Sequence, residues 1–144
     1  MRVRLSLRPE VPQDEIIIPM DFRRHFISLL KILLNESPFK ERFEKLNPGY
    51  SPYVFSIQFG KIHSFDSSKE VMIVKPPVLL TFSTGLYDLM TDICNGAITI
   101  KGKNTVLGLI LDEIQLLPNT TIKSDVVKFQ VLGHAVLRGK DEYV

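Results

Sequence analysis

Hydrophobic and polar residues alternate over the first eight residues of the chain. Val3, Leu5 and Leu7 take every second position, and arginine or serine fills the positions between them. Side chains of a strand point alternately to two faces, so this period of two predicts a β-strand over residues 2–8 with one buried face and one open face. The open face would carry Arg2, Arg4 and Arg8.

A helical pattern follows between Ile16 and Asn35, and the rest of the chain is organised around it. Asp21 is placed to cap the first turn of this helix by accepting a backbone N–H. The apolar residues that recur at helical spacing define a stripe that must pack on a sheet. They are Phe22, Phe26, Leu29, Leu30, Leu33 and Leu34.

The remaining residues predict two more helices and several short strands. One helix is predicted over residues 38–46, with Ser37 as its cap, and another over residues 86–93, closed by Asn95 and Gly96. Alternating or β-branched runs predict strands over 53–59, 71–74, 78–83, 98–100, 105–111, 113–117, 126–132 and 135–137. Glycine, proline and polar residues predict loops over 60–70, 101–104 and 119–124 and a linker over 139–144.

The coarse order of these elements is strand, helix, strand, strand, helix, strand. This β-α-β-β-α-β order predicts an α+β, ferredoxin-like fold, in which two helices cover one face of an antiparallel sheet. The short strands at 71–74 and 98–100 would be additions to it. The aromatic residues Tyr53, Phe55 and Phe59 share one strand face beside the leucine-rich helices, so we interpret them as core and not as a base-stacking platform.

Composition narrows the class of protein only partly. With 144 residues, of which 44% are hydrophobic and 24% charged, the chain predicts one globular domain. A net charge of +2 does not by itself indicate a nucleic-acid partner. A single cysteine, Cys94, excludes a disulfide within the chain. The sequence shows no signal peptide and no apolar run long enough for a membrane span, so we expect a soluble, cytoplasmic protein.

Several segments, in this order, resemble those of a known family. They are Arg2 to Glu10, Ile16 to Pro19 with the helix to Asn35, Tyr53 to Ser56, Leu80 to Ser83, Asn95-Gly96 with Leu109 to Leu117, and Lys128 to Leu132. The chain resembles the first half of the CRISPR-associated endoribonucleases of the RAMP superfamily, which cut precursor CRISPR RNA within its repeats. Unlike that family, it has Gly133-His134 where a Ser-Pro is usual, and no glycine-rich loop follows.

The resemblance implies that residues 1–144 form one ferredoxin-like RAMP domain, the N-terminal half of a two-domain protein. It also implies cleavage of repeat RNA to a 2′,3′-cyclic phosphate without a metal or other cofactor. The implied partners are CRISPR repeat RNA and other CRISPR effector proteins. We also expect a homodimer, because a first domain without its second would expose the apolar surface that they share.

Candidate catalytic residues are few. Histidine is the residue type best suited to acid–base chemistry at neutral pH, and His25 lies beside Arg23 and Arg24, so it is the best acid–base candidate, although a histidine at the border of a helix face can equally be structural. Many family members place a catalytic histidine in the segment that corresponds to residues 38–52, where this chain has none and Lys45 is the nearest match. His63 and His134 are interpreted as a loop residue and a structural residue. No histidine shows the spacing of a metal site.

Candidate RNA-binding residues are arginines and lysines on two elements of the predicted fold. The alternating arginines would place phosphate-binding groups along one sheet face, or they would face solvent or a second domain. The full set is Arg2, Arg4, Arg8, Arg23, Arg24 and Lys31, the last of which falls where some family members have a tyrosine.

Three functions therefore stay open from the sequence. The first is a repeat-RNA endoribonuclease, the second is a non-catalytic RAMP protein that binds repeat RNA or scaffolds an effector complex, and the third is a protein-interaction module without an RNA role. The missing histidine in residues 38–52 favours the second reading over the first.

Overall fold

Five strands and two helices follow one another in the part of the chain that the computed structural model describes, namely residues 1–38, 40–41 and 52–130. We number them in chain order. They are β1 (Arg2–Pro9), β2 (Ile16–Pro19), α1 (Arg23–Leu33), β3 (Tyr53–Asp66), β4 (Val71–Thr84), α2 (Tyr87–Ile100) and β5 (Leu109–Leu117).

The sheet is antiparallel throughout, and β1 lies at its centre. β1 pairs with β4 on one side and with β5 on the other, and β3 pairs with the far side of β4. The resulting order β5-β1-β4-β3, with helices after β1 and β4, is that of a ferredoxin-like fold, so the predicted α+β class is confirmed. The short strand β2 is an addition, since it pairs with Val71 to Val74 at the start of β4, on the same side of β4 as β1.

Both helices pack on one face of this sheet. The predicted apolar stripe of α1 is confirmed, because Phe26, Leu29, Leu30, Leu33 and Leu34 are all buried. These side chains form one hydrophobic core with alternate residues of the sheet, which explains why the alternation of β1 was so regular. The sheet residues of this core include Val3, Leu5, Leu7, Val78, Leu80, Phe82, Leu109 and Leu111.

The start of α1 differs from the prediction. The helix begins after Phe22, which makes no side-chain capping hydrogen bond, so the predicted cap by Asp21 is wrong. The Asp21 carboxylate instead lies 2.7 Å from the Nε atom of Arg24 on the first turn. The chain enters the helix through a backbone turn, in which the N–H of Phe22 donates to the carbonyl of Pro19 at 3.1 Å.

Residues 60–70 form the outer end of a long hairpin, so the predicted loop is wrong over residues 60–66 and correct only for the turn over 67–70. β3 runs on to Asp66 with bulges between Phe59 and Lys61 and between Ile62 and Ser64, and these bulges interrupt the period of two. β4 likewise continues through Pro76 and Pro77, which are joined by a cis peptide bond. Prolines are tolerated there because they lie between the residues of β4 that pair with β2 and those that pair with β1.

Gly60 is required by this hairpin. A Cβ atom on Gly60 would lie 2.8 Å from the carbonyl oxygen of Pro76 and 2.9 Å from that of Lys75. Because both atoms belong to the backbone, only a residue without a side chain lets β3 approach β4 this closely.

The second helix is longer than predicted and replaces a predicted strand. α2 continues through Asn95 and Gly96 to Ile100, so the strand over 98–100 is wrong. Residues 105–108 form a turn in which Leu107 and Gly108 have positive φ angles of 56° and 68°. β5 therefore begins at Leu109, and the predicted extension over 113–117 is confirmed.

The last described residues contain no regular element. Residues 126–130 are exposed and lack strand pairing, so the predicted strand over 126–132 is wrong for the part that the structure describes. The predicted strand at 135–137, the linker at 139–144 and most of the predicted helix at 38–46 fall outside the described residues.

The turn of the β3–β4 hairpin leads to a pH-dependent prediction. The Oδ1 atom of Asp66 accepts hydrogen bonds from the Ser68 hydroxyl at 2.6 Å and from the backbone N–H groups of Ser68 and Lys69 at 3.1 and 3.2 Å. These bonds lower the pKa of Asp66 below its ordinary value, the Ser68 hydroxyl most strongly. The stability that the carboxylate contributes is therefore present above the pKa of the unfolded chain and is lost as the pH falls through the lowered folded value.

We expect Asp66→Ala to lower the midpoint of thermal unfolding at neutral pH and to lose that difference from the wild type in strong acid. Asp66→Asn is the matched control, because it keeps an acceptor oxygen but cannot ionise. A difference between Asp66→Ala and the wild type that stays constant down to strong acid would contradict this role of the charge.

Candidate nucleic-acid interface

The face of the sheet opposite the helices carries mostly polar residues, and we call it the open face. Because neighbouring residues of a strand point to opposite sides, every residue between the buried positions of β1 and β4 lies on it. The partners of these residues on β3 and β5 follow from the register. No Phe or Tyr side chain belongs to this face within the described strands. Tyr53, Phe55 and Phe59 are partly buried and pack against the core, which confirms that these three rings are not a stacking platform on the open face.

One row of the open face is polar on four neighbouring strands. Arg4 of β1 lies opposite Thr81 of β4 and Gln115 of β5, and Thr81 lies opposite Ser56 of β3. Side chains that are directly opposite on an antiparallel pair have Cβ atoms about 4.5–5.5 Å apart, so these four form one continuous strip. A guanidinium, an amide and two hydroxyls in line can bind phosphate oxygens and ribose 2′-hydroxyls.

Arg4 is the centre of this strip and has unused hydrogen-bonding capacity. Its Nε atom is shielded from solvent, yet it finds no acceptor among the residues that the structure describes. A buried donor without a partner costs free energy, so a movement of the Arg4 side chain that brought its guanidinium to an anion would be favoured.

The other two arginines of β1 already have protein partners. The Nε atom of Arg8 lies 3.0 Å from the carboxylate of Asp112, in a pair that is half exposed. A guanidinium nitrogen of Arg2 donates to the carbonyl of Pro118 at 3.1 Å and lies 3.4 Å from the Thr120 hydroxyl. The predicted row of three arginines therefore exists along β1, with Arg4 as its least satisfied member.

The basic residues of α1 lie on the other side of the sheet from the open face. The guanidinium carbon of Arg23 stands 4.3 Å from the centroid of the Phe55 ring, a cation–π arrangement, and Arg24 pairs with Asp21. His25 is partly buried, and Lys31 is exposed near the end of the helix. The predicted RNA-binding residues are thus divided between two surfaces and do not form one site.

A groove of about 660 Å³ lies between the end of α1 and the outer side of α2. Lys31 lines it, and the Nζ atom of Lys40 donates to the Oδ1 atom of Asn35 at 2.8 Å on the same side. The hydroxyl of Ser37 donates to the Asp92 carboxylate across the groove. Glu36 and Asp92 also line the groove, so two carboxylates balance its two lysines and its charges do not favour an anion.

The remaining candidate residues are dispersed. His63 lies on β3 and not in a loop, with its Nδ1 atom 3.1 Å from the carboxylate of Glu15. Lys45 and His134 fall outside the described residues. The thiol of Cys94 is half-buried, and burial raises its pKa, so it is a poor nucleophile at neutral pH.

Sequence reasoning missed several residues of the open face. The sequence pattern predicts a loop at Lys61 and places Lys75 between the predicted strands 71–74 and 78–83, whereas both residues lie on paired strands. Gln115 and Thr81 were placed on strands but not related to Arg4, because register cannot be read from a single strand. Gly60 is the sequence signal that could have shown that β3 continues, since a glycine inside a strand pattern often marks a bulge and not the end of the strand.

Two features of the described residues bear on the class of protein. The fold is an α+β ferredoxin-like domain whose exposed sheet face is polar and carries arginines. In the ranges that the structure covers, neither helix has the length and apolarity that crossing a membrane requires.

Comparison with known proteins supports this fold class. No protein-family model and no curated protein matches the sequence. Among solved structures, the chain is similar to one described as CRISPR associated protein Cas6, with a TM-score of 0.59 and 14% sequence identity. The match covers 85% of this chain and 50% of the other, so the chain spans about half the length of that structure. At this identity the likeness establishes a shared fold.

Proposed function

We propose that this chain is the RNA-binding first domain of a CRISPR-associated endoribonuclease that processes precursor CRISPR RNA. One observation carries the proposal: the polar strip across the open face, centred on Arg4 with its unsatisfied Nε atom. The fold shared with CRISPR associated protein Cas6, and the segments that resemble the family, support the choice of repeat RNA as ligand.

The open face suits the RNA backbone better than the bases. Arginine, glutamine and hydroxyl side chains bind phosphate and the 2′-hydroxyl, whereas recognition of unstacked bases commonly uses aromatic rings, and the described residues of this face have none. Repeat sequence would then be read elsewhere, in a second domain of a longer protein.

Cleavage by residues 1–144 is expected to be weak or absent. The reaction needs a base for the 2′-hydroxyl, a charge on the phosphate and an acid for the 5′-oxygen. His25 and Lys45 are the proposed acid–base residues of the full enzyme, and a 2′,3′-cyclic phosphate is the proposed product. Because His25 lies on α1, on the helix side of the sheet, the RNA would have to pass from the open face around an edge of the sheet to reach it. The absence of histidine from residues 38–52 also supports the second candidate function, a non-catalytic protein that holds repeat RNA in an effector complex.

Replacing Arg4 by alanine tests the binding proposal. Each phosphate neutralised on a single strand contributes about −0.7 to the slope of log affinity against log salt. We therefore expect Arg4→Ala to weaken binding of a fluorescent repeat RNA and to flatten this slope by about 0.7, as measured by fluorescence anisotropy. Adding Arg8→Ala should change less, because Asp112 already holds Arg8.

Two matched variants sharpen this test. Arg24→Ala removes the same charge from the helix side of the sheet and should leave the salt slope nearly unchanged. Asp112→Ala releases Arg8 and should strengthen binding. If Arg4→Ala and Arg24→Ala weaken binding equally, net charge and not the open face determines affinity, and the proposal fails.

A further inference from the structure

Two lysines face each other on the outer half of the β3–β4 hairpin. Lys61 of β3 and Lys75 of β4 occupy directly opposite positions in the antiparallel register, and both are exposed. Like charges in directly opposite positions of a sheet destabilise it. Within the described ranges neither lysine forms an ion pair, so no carboxylate in direct contact relieves this repulsion.

Two acidic residues lie beside this pair without forming an ion pair with either lysine. Asp14 and Glu15 line a shallow depression beside Lys75 and Pro76. The carboxylate of Glu15 is directed to His63, 3.1 Å from its Nδ1 atom. The two carboxylates offset part of the local positive charge, but both lysine side chains are exposed and can contact an anion from solution.

The lysine pair lies on the open face, in line with the arginines. Lys75 follows the buried Val74, so it points to the side opposite the core, as do Leu79, Thr81 and Ser83 further along β4. Since Arg4 lies opposite Thr81, six residues of β4 separate Arg4 from the lysines, which is roughly 20 Å at the rise of a strand. Arg8 stands between them near the end of β1.

The backbone holds the lysine pair in place. The two bulges of β3 shift its register so that Lys61, and not a neighbour, faces Lys75. Gly60 permits the close approach of the two strands beside Pro76, and β2 pairs with β4 as far as Val74. The pair is therefore part of a three-stranded region and not of a free loop.

We propose that Lys61 and Lys75 form a second phosphate-binding site for the same single-stranded RNA that binds at Arg4. The RNA backbone would then run along the axis of the hairpin, from Arg4 past Arg8 to the lysine pair. This inference rests on the proposed function. It adds the path of the RNA along the hairpin and a second contact with its backbone at the lysine pair.

The double variant Lys61→Ala/Lys75→Ala tests this site with oligouridine, an unstructured RNA, in short and long forms. Loss of two phosphate contacts should flatten the salt slope for the long oligouridine by about 1.4 and leave that for the short one nearly unchanged. Lys101→Ala/Lys103→Ala removes the same charge from the turn after α2 and is the matched control. Equal effects of the two double variants on the slope would overturn the inference.

A charge reversal separates binding from folding. Lys61→Glu places a carboxylate opposite Lys75, so we expect a higher midpoint of thermal unfolding together with weaker binding of the long oligouridine. Undiminished binding by this variant would overturn the lysine site.

The outcomes also distinguish the two proposals. If Arg4→Ala weakens binding and the lysine variants do not, the proposed function stands and the distal site is wrong. If the wild type binds no RNA, the proposed function fails first and the distal site with it.

Discussion

Replacing Phe82 by alanine is expected to lower the free energy of unfolding by about 3–5 kcal/mol. Phe82 is fully buried on β4, opposite Val3 of β1 and Phe55 of β3, and its ring stacks on that of Tyr53 with centroids 5.3 Å apart. The substitution removes apolar surface from the core and leaves a cavity that strands on both sides prevent from closing. Since a domain has only about 5–15 kcal/mol in total, this loss is a large share of its stability.

Phe129 provides the matched control for this prediction. Its side chain is 87% exposed, so Phe129→Ala makes the same chemical change outside the core and should alter stability by less than about 0.5 kcal/mol. Urea unfolding followed by circular dichroism measures both variants. A loss below about 1 kcal/mol for Phe82→Ala would contradict the central position of this ring.

Replacing Gly96 by alanine is expected to destabilise the protein by about 3 kcal/mol, although alanine is the better helix former. In an open helix the exchange would be favourable by about 1 kcal/mol. Here a Cβ atom would collide with the carbonyl oxygen of Leu33 and lie 2.9 Å from its Cα atom, so α1 and α2 would have to separate. A decrease in the free energy of unfolding on Gly96→Ala would therefore show that the two helices are in close contact at this position.

Gly85 is the control for this second substitution. A Cβ atom on Gly85 meets nothing within 4 Å, so Gly85→Ala should be neutral or slightly stabilising. Thermal unfolding of the two variants gives the comparison. An unchanged or raised midpoint for Gly96→Ala would show that the helices are further apart than described.

The elements that the sequence predicted well are those with a regular local pattern. The alternation of Val3, Leu5 and Leu7 and the stripe from Phe26 to Leu34 each repeat a single period, and both are confirmed by burial. These patterns are sufficient to predict that one face of β1 packs against the helices and that the other face carries the arginines. The ferredoxin-like class was predictable for the same reason.

The errors arise where tertiary contacts decide the local structure. The sequence pattern predicts a helix end at Gly96, but this residue lies inside α2. A glycine is needed there because the backbone of Leu33 approaches the helix at this point. Pro76 and Pro77 lie between the predicted strands 71–74 and 78–83, which are in fact one strand. They fall between the part of β4 that pairs with β2 and the part that pairs with β1. A short window of sequence shows neither how closely α1 approaches α2 nor which strands pair with β4.

The candidate site was predictable in part. Alternation placed Arg2, Arg4 and Arg8 on one face, but their differences depend on residues far along the chain. Asp112 forms an ion pair with Arg8, and Arg2 donates hydrogen bonds to Pro118 and Thr120. Whether Arg4, Lys31 or His25 contacts RNA stays a prediction.

The central position of β1 has a consequence for how the chain acquires its structure during synthesis. β1 leaves the ribosome first, but its partners are Val78 to Ser83 of β4 and, on the other side, β5 as far as Leu117. Pairings between such distant segments make folding slow, because long loops must close before any contact is gained. Until α2 and β5 have been synthesised, the core of β1 is incompletely covered and one backbone edge of β1 stays unpaired, so we expect ribosome-bound chains that end before Leu109 to bind chaperones and those released after Leu117 to fold.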